Sequence, residues 1–107
     1  MSLAEFQNID IRICTVRAAE RVPATDKLLK LTVDCGEEKT RTIISGIAEH
    51  ISPDTIVGMQ CPFVVNLDAR EIRGETSEGM ILAASGSDGS FSLLRLDTVL
   101  PPGSRVR

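Results

Sequence analysis

Residues that could carry out catalysis are scarce in this sequence. The only histidine is His50, and Glu49 stands beside it. Ser45 and Ser52 are the nearest hydroxyl-bearing residues along the chain. A nucleophile needs a base within hydrogen-bond reach, but on a single helical turn these side chains face different directions. The sequence therefore predicts no catalytic residue, and it predicts that His50 is exposed near a helix end.

The three cysteines give no sign of a metal site. Cys14, Cys35 and Cys61 are far apart and odd in number, and no CxxC pair exists, whereas a zinc site needs four clustered ligands. Each cysteine lies among apolar residues, so we expect small buried free thiols, which suit a reducing compartment. No signal peptide and no apolar run of the roughly 20 residues of a membrane span is visible. The sequence thus predicts a cytoplasmic protein with no metal and no cofactor.

The stretch from Gly74 to Met80 is the most suggestive of binding chemistry. Two glycines bracket small polar residues between two strands, and such a loop exposes N–H groups and a hydroxyl that can hold a phosphate or a base edge. It lacks the Gly-Lys-Ser/Thr ending of a Walker loop, and an ordinary tight turn is the alternative. Asn66 ends an apolar strand, where its amide either caps the strand or reads a base edge.

Composition predicts a single folded domain over residues 1–107. The hydrophobic share of 42% is enough for one core, and with three Phe and no Trp or Tyr that core must be aliphatic. The net charge is −3, whereas nucleic-acid binders often have a basic total. Any binding face must therefore come from the arrangement of the twelve Lys and Arg residues.

Short alternating segments predict an all-β fold with one helical interruption. In the first strand the apolar positions Ile11 and Ile13 slip by one residue to Cys14 and Val16, which predicts a bulge that bends the strand. Further strands are expected at residues 29–35, 40–45, 60–67, 80–84 and 91–96, with one helical turn at 46–51 and short segments at 70–73 and 104–107. This order is that of a five-stranded OB-fold barrel. The prediction is a barrel core over about residues 6–79, a short capping helix and a C-terminal β extension over about residues 80–107.

Several motifs resemble the tRNA-binding domain family. They are Pro23 to Leu28, Val33 to Gly36, Arg41 to Ala48, Asn66-Leu67, Arg70, and Arg73 to Ala84. This family supplies the C-terminal domain of many methionyl-tRNA synthetases, and it includes free-standing dimeric tRNA-binding proteins and the endothelial-monocyte-activating polypeptide domain. The resemblance implies an OB barrel whose C-terminal extension makes a homodimer. It also implies recognition of tRNA by shape, either in trans or fused to a synthetase.

A chaperone-like group shares the fold that the resemblance implies. It is less similar, because its pattern has Asn-Phe-Pro where this chain has Asn66-Leu67-Asp68. Asp68, Ala69 and Glu71 also stand where relatives in the tRNA-binding family commonly carry Lys or Pro. These acidic changes lie in the expected RNA-facing strip, and they favour the alternative function, a chaperone-like or assembly dimer.

The expected RNA contacts follow from the basic and polar residues in these motifs. The phosphate contacts are expected to be Lys27, Lys30, Arg41, Arg70 and Arg73. The sugar or base contacts are expected to be Asn66, Ser77 and Glu78. The function predicted is structure-directed tRNA binding by an accessory module, a beta-chain-like partner or detached domain of methionyl-tRNA synthetase with no chemistry of its own.

The extension carries more apolar residues than two strands can hide alone. The residues expected at a homodimer interface are Met80, Ile81, Leu82, Phe91, Leu93, Leu94 and Leu96. Phe6, Phe63 and Phe91 are expected in the core or the dimer seam, so base stacking on them is limited. Recognition through the RNA backbone and its shape is then the expected mode.

Overall fold

The chain folds into ten strands and two single-turn helices. The computed structural model describes all residues, 1–107. The elements in order are α1 (Leu3–Phe6), β1 (Ile11–Arg21), β2 (Leu29–Asp34), β3 (Arg41–Ser45), α2 (Pro53–Ile56), β4 (Gln60–Val64), β5 (Arg70–Ile72), β6 (Glu75–Ser77), β7 (Met80–Ile81), β8 (Ala83–Ser85), β9 (Phe91–Leu93) and β10 (Ser104–Arg105). Neither helix is long or apolar enough to cross a membrane.

The long first strand is shared by two sides of a barrel. The main sheet runs β3-β2-β1-β4-β7, and β10 also pairs with β1. Residues 11–15 of β1 pair with β4, and residues 15–21 pair with β2. Between Val16 and Ala18 the register with β2 shifts, and a bulge of this kind bends a strand. The five antiparallel strands β1, β2, β3, β4 and β7 curl into a nearly closed barrel, so the predicted OB architecture is confirmed.

The predicted bulge exists, but it lies further along β1 than the sequence indicates. Ile13 is 5% exposed and Cys14 is 0% exposed, although neighbouring side chains of a strand point to opposite faces. This part of β1 is therefore covered on both faces. The slip in the apolar pattern reflects that double burial, and the bulge itself follows Val16.

The core is aliphatic, as the composition predicts. In β2, Leu29, Leu31 and Val33 alternate with half-buried polar residues and are completely buried. They pack with residues from β1, β3 and β4, and Phe63 is the only aromatic ring among the fully buried side chains. The extension contributes Ile81 and Leu93 to the same cluster.

The barrel closes through side chains where β3 lacks a ladder partner. The Glu78 amide donates to the Thr42 carbonyl at 2.8 Å, and the Thr42 amide donates to Glu78 Oε1 at 2.9 Å. The Ile44 amide donates to Ser77 Oγ at 2.9 Å. Buried backbone donors need partners, so these contacts complete the barrel between β3 and the segment ahead of β7.

The capping helix lies later than predicted. Residues 46–51 form turns, and the helix α2 begins at Pro53. Ser52 has the extended backbone of an N-cap, and Pro53 occupies the first helical turn, where its missing N–H costs nothing. His50 therefore precedes a helix and does not end one. The sequence also gave no prediction of α1, whose Ser2 and Glu5 form a capping box.

The prediction of three free thiols is wrong for two of the cysteines. The structure joins Cys14 and Cys35 in a disulfide, and only Cys61 remains free and buried. Thr15 pairs with Asp34 across β1 and β2, so the next residues outward, Cys14 and Cys35, face each other with Cα atoms 4.4 Å apart. This antiparallel register brings together residues 21 positions apart, and the thiols no longer support a reducing compartment.

Gly103 fastens the C-terminal segment to the barrel. Its amide donates to the Ile13 carbonyl at 2.7 Å, its φ is +90°, and a Cβ there would lie 2.7 Å from the Cys35 carbonyl oxygen. Gly58 has nearly the same φ, +88°, but nothing lies within 4 Å of its Cβ position.

These two glycines predict different costs for the same substitution. Gly58→Ala should lower the free energy of unfolding by about 1 kcal/mol, from backbone strain alone. Gly103→Ala should lower it by about 2–4 kcal/mol, because the steric clash adds to the strain. Urea unfolding of both variants measures the difference. Equal losses would show that Gly103 is not packed closely against Cys35.

Candidate nucleic-acid interface

A two-stranded hairpin projects from the barrel between β4 and β7. We call residues 70–77 the arm, in which Arg70 pairs with Ser77 and Ile72 with Glu75. The turn consists of Arg73 at φ +53° and Gly74 at φ +80°. Two successive residues of positive φ match the twist of a tight hairpin. The stretch from Gly74 to Met80 is thus half of a hairpin, and the exposed Arg73 lies at its tip.

An ion pair connects the arm to β2 of the barrel. Lys30 Nζ lies 3.1 Å from Glu75 Oε2, and Lys30 pairs with Ile44 across β2 and β3. At the base of the arm, Ser77 bonds to the Ile44 amide. The arm therefore follows β3 and reaches Lys30, near the start of β2.

Basic residues lie at the end of β1, in the β1–β2 loop, at the start of β2 and on the arm. The Ala48 amide donates to the Lys27 carbonyl at 3.1 Å, and Arg21 Nη1 donates to the Ala48 carbonyl at 3.3 Å. These contacts hold the end of β1, the β1–β2 loop and the turn after β3 together. We define the basic rim as Arg21, Lys27, Lys30, Arg70 and Arg73. The rim forms no ion pair other than that of Lys30 with Glu75.

Arg41, expected to contact phosphate, is committed to the barrel instead. Its Nε and Nη2 donate to both carboxylate oxygens of Glu37 at 2.6 and 2.8 Å, and its Nη1 donates to the carbonyls of Val65 and Glu78 at 2.7 and 2.9 Å. The hydrogen bond from Arg41 lowers the pKa of Glu37, against a smaller opposing effect of burial. A guanidinium has five N–H donors, and these contacts use most of them. Arg41 therefore acts as a clamp across the barrel closure.

The three residues expected to read sugars or bases also have structural partners. Ser77 is 2% exposed, and its hydroxyl accepts from Ile44 and donates to the Gly79 carbonyl at 3.2 Å. Glu78 binds both backbone groups of Thr42. Ser77 and Glu78 thus satisfy backbone groups of β3 that no neighbouring strand pairs with. The sequence pattern does not reveal this role.

Asn66 joins the end of β4 to the N-terminal segment. Its Oδ1 accepts from the Asp10 amide at 2.9 Å, and its Nδ2 donates to the Asn8 carbonyl at 2.7 Å. The Asn66 amide thus extends the pairing of β1 with β4 beyond the end of the ladder, and its contact with a base stays a prediction.

The acidic residues of this region differ in their surroundings. Glu71 accepts a hydrogen bond from the Thr76 hydroxyl across the arm, whereas Asp68 is exposed and forms no ion pair. Asp68 lines a groove of about 520 Å³ at the base of the arm, together with Arg70 and two exposed apolar side chains, Leu67 and Met80.

Two residues of this region were missed or assigned elsewhere by sequence reasoning: Arg21, which belongs to the rim, and His50, which lies next to it in the turn after β3. Arg21 ends β1 directly before the β1–β2 loop, and that position is the one signal that could have identified it. His50 stacks on the ring of Phe91, while the Ser52 hydroxyl bonds to that of Thr55 at 2.9 Å.

Known proteins share both this sequence and this fold. A family model described as "Putative tRNA binding domain" matches residues 11–105. A methionine–tRNA ligase from Bacteroides fragilis is 46% identical over 103 residues, which is 96% of this chain and 15% of that enzyme. The chain thus spans only a small part of the curated relatives it matches.

Solved structures of similar size share the whole fold. A MetRS-related protein from Pyrococcus horikoshii is 36% identical with a TM-score of 0.94, and the match covers 100% of this chain and 97% of that one. The chaperone CsaA from Bacillus anthracis is 28% identical with a TM-score of 0.88, covering 100% and 98% of the two chains.

The placement of Ser77 predicts a loss of stability on its removal. Ser77→Ala should lower the free energy of unfolding by about 1–3 kcal/mol, because it leaves the buried Ile44 amide without a partner. Thr76→Ala is the matched control on the exposed side of the same strand, and it should cost no more than about 0.5 kcal/mol. Thermal or urea unfolding compares them. If Ser77→Ala has wild-type stability but binds RNA more weakly, Ser77 contacts RNA and its structural role is refuted.

Proposed function

This chain belongs to the tRNA-binding domain family, and we propose that it binds folded tRNA through the basic rim. The domain is a binding module. The chain as a whole is acidic, with a net charge of −3, so the affinity must come from cations gathered locally.

The ion pair between Lys30 and Glu75 is the observation that carries this proposal. It ties the arm to β2, and we infer that this turns the exposed Arg73 at the tip of the arm toward the exposed Lys27 of the β1–β2 loop. In OB folds the loops that follow the first and fourth strands bind nucleic acids and sugars. Here the β1–β2 loop and the arm occupy those two places. Glu75 competes with phosphate for Lys30, so Lys27, Arg70 and Arg73 make the stronger contacts.

Recognition through shape and phosphates suits the side chains of this surface. Phe63 is completely buried, and Phe6 and Phe91 are half-buried, so no phenylalanine forms an open platform for successive bases. Phosphate contacts fix position and orientation without reading sequence. The rim therefore selects tRNA by the geometry of its backbone.

The similarity to methionine–tRNA ligases supports a place beside such an enzyme. We infer that the chain serves methionyl-tRNA synthetase as an accessory, non-catalytic module, as a beta-chain-like partner or as a domain of a longer protein. We also propose a cytoplasmic location, because tRNA is aminoacylated in the cytoplasm.

A homodimer built on residues 80–107 completes the proposal. Within this extension, Leu93 is 7% exposed and Ile81 is 6% exposed, so these two residues pack in their own chain and not in a dimer seam. Met80 is 46% exposed and Leu94 is 41% exposed, and Leu82 and Leu96 are half-buried. Apolar side chains left open in this way favour a two-fold partner. Phe91 is also half-buried, but it packs against the core and against His50, so the proposed seam does not include it.

The groove at the base of the arm favours a second candidate function. Leu67 is 48% exposed beside Met80, and Asp68 lies with them. An apolar groove flanked by one acidic and one basic side chain, Asp68 and Arg70, suits a peptide segment better than it suits phosphate. The chaperone CsaA has the same fold. If the protein does not bind RNA, we propose that it is a protein–protein interaction module.

The rim predicts salt-sensitive tRNA binding. If about four phosphates are contacted, the slope of log affinity against log salt should be roughly −3. Lys27→Ala and Arg73→Ala should each weaken binding to all tRNAs alike and reduce the slope by about 1. Lys39→Ala is the matched control, since Lys39 is an exposed lysine at the other end of the β2–β3 hairpin. Filter binding at several salt concentrations measures all of these. A flat salt response, or equal effects of Lys27→Ala and Lys39→Ala, would exclude the rim.

The extension predicts a dimer at micromolar concentration. Met80→Glu and Leu94→Glu should shift the molecular mass toward that of the monomer, because each places a charge in the apolar seam. Val57→Glu, at a residue 44% exposed outside the extension, should leave the dimer intact. Multi-angle light scattering decides, and a wild-type monomer would refute the dimer without affecting the proposal for tRNA.

A further inference from the structure

We propose that the exposed face of His50 stacks against an unpaired nucleobase of the RNA that the basic rim holds. This inference rests on the proposed function and adds to the phosphate contacts one contact with a base. It concerns the turn between β3 and α2, which no expected contact includes.

The ring of His50 is held in place by a neighbouring ring. Its centroid lies 4.4 Å from that of Phe91, and the two planes differ by 11°. Phe91 packs against the hydrophobic core, so the stack is anchored in the barrel. His50 is nevertheless exposed. Because Phe91 covers one face of the ring, we infer that the exposed surface of His50 lies on the opposite face.

The His50 ring lies on a turn that is hydrogen-bonded to two residues of the rim. Ala48, two residues before His50, accepts a hydrogen bond from Arg21 and donates one to the Lys27 carbonyl. The guanidinium of Arg21 and the backbone of Lys27 therefore contact the turn that carries the ring. An RNA backbone held by Arg21 and Lys27 would present an unstacked base to the open face of His50.

The chemistry of the ring suits a base better than it suits another ligand. RNA-binding proteins stack splayed bases on aromatic rings, including histidine, and such stacking tolerates any base because each has a π face. The chain has no Trp or Tyr, and Phe63 is completely buried, so His50 is the exposed flat ring beside the rim. A rim of cations binds any phosphate backbone, whereas this ring requires an unpaired nucleotide. The stack would thus favour tRNA over uniform duplex RNA.

A tryptophan at this position reports stacking directly. His50→Trp would be the sole tryptophan of the chain, and its fluorescence should be quenched on titration with tRNA and little changed by duplex RNA. Leu3→Trp is the control, since Leu3 is 71% exposed in α1. That helix precedes the start of β1, whereas His50 lies near the end of β1. Its fluorescence should not respond to either RNA. Unquenched His50→Trp under conditions where tRNA is bound would overturn the inference.

Affinities separate stacking from a purely structural role of the ring. His50→Ala should weaken tRNA binding about fivefold, near the lower end for loss of one stacked base, while His50→Phe retains the affinity. A ring that only fastens the β8–β9 hairpin predicts a lower Tm for His50→Ala with an unchanged Kd, and that result would refute stacking. If His50→Ala is too unstable to assay, the quenching of His50→Trp decides.

The two proposals fail in different ways. Wild-type protein that binds no tRNA, or binds without salt dependence, would refute the proposed function and the stack together. Binding that weakens in Lys27→Ala but not in His50→Ala, with no quenching of His50→Trp, would refute the stack alone.

Discussion

The closure of the barrel along β3 is the constraint on which the rest of the structure depends. β3 pairs with β2 on one side, but on its other side no strand completes a ladder. Ser77, Glu78 and Arg41 fill that gap with side-chain hydrogen bonds to backbone groups. Because the arm leads directly into Ser77, the same bonds fix its base, and the ion pair with Lys30 fixes its reach. The hydrogen bonds that close the barrel thus also fix the position of the proposed binding surface.

This arrangement separates the residues that make the fold from those available to a ligand. The motif around Ser77 and Glu78 carries much of the family resemblance, and its polar atoms are used inside the protein. The exposed cations of the rim have few internal partners, so their charges are available to phosphate. Membership of the family therefore follows mainly from the framework, whereas the RNA affinity that we propose depends on a few surface charges. In that proposal the exposed carboxylate of Asp68 opposes phosphate binding by these cations.

Local patterns in the sequence were enough to predict β1 to β4, their order and the aliphatic core, but not β6, which lies in the stretch from Gly74 to Met80 that was expected to be a loop. They predicted a bend in β1 but misplaced it, because double burial of Ile13 and Cys14 imitates a register slip. The disulfide between Cys14 and Cys35 and the clamp made by Arg41 depend on which strands become neighbours. No local pattern contains that information. Lys27, Lys30 and Arg73 stay predictions from the motifs that contain them. The hydrogen bond of Arg21 to Ala48 and the stack of His50 on Phe91 depend on which elements become neighbours, so the sequence did not predict them.

The central claim, that tRNA lies across the rim, is tested most directly by mapping amide chemical shifts of the full chain during titration with tRNA. The largest changes are predicted in residues 21–30 and 70–75, with smaller changes in the turn that carries His50. Changes confined to the extension or to the groove beside Leu67 and Met80, with the rim unaffected, would contradict the account and favour a protein-binding module.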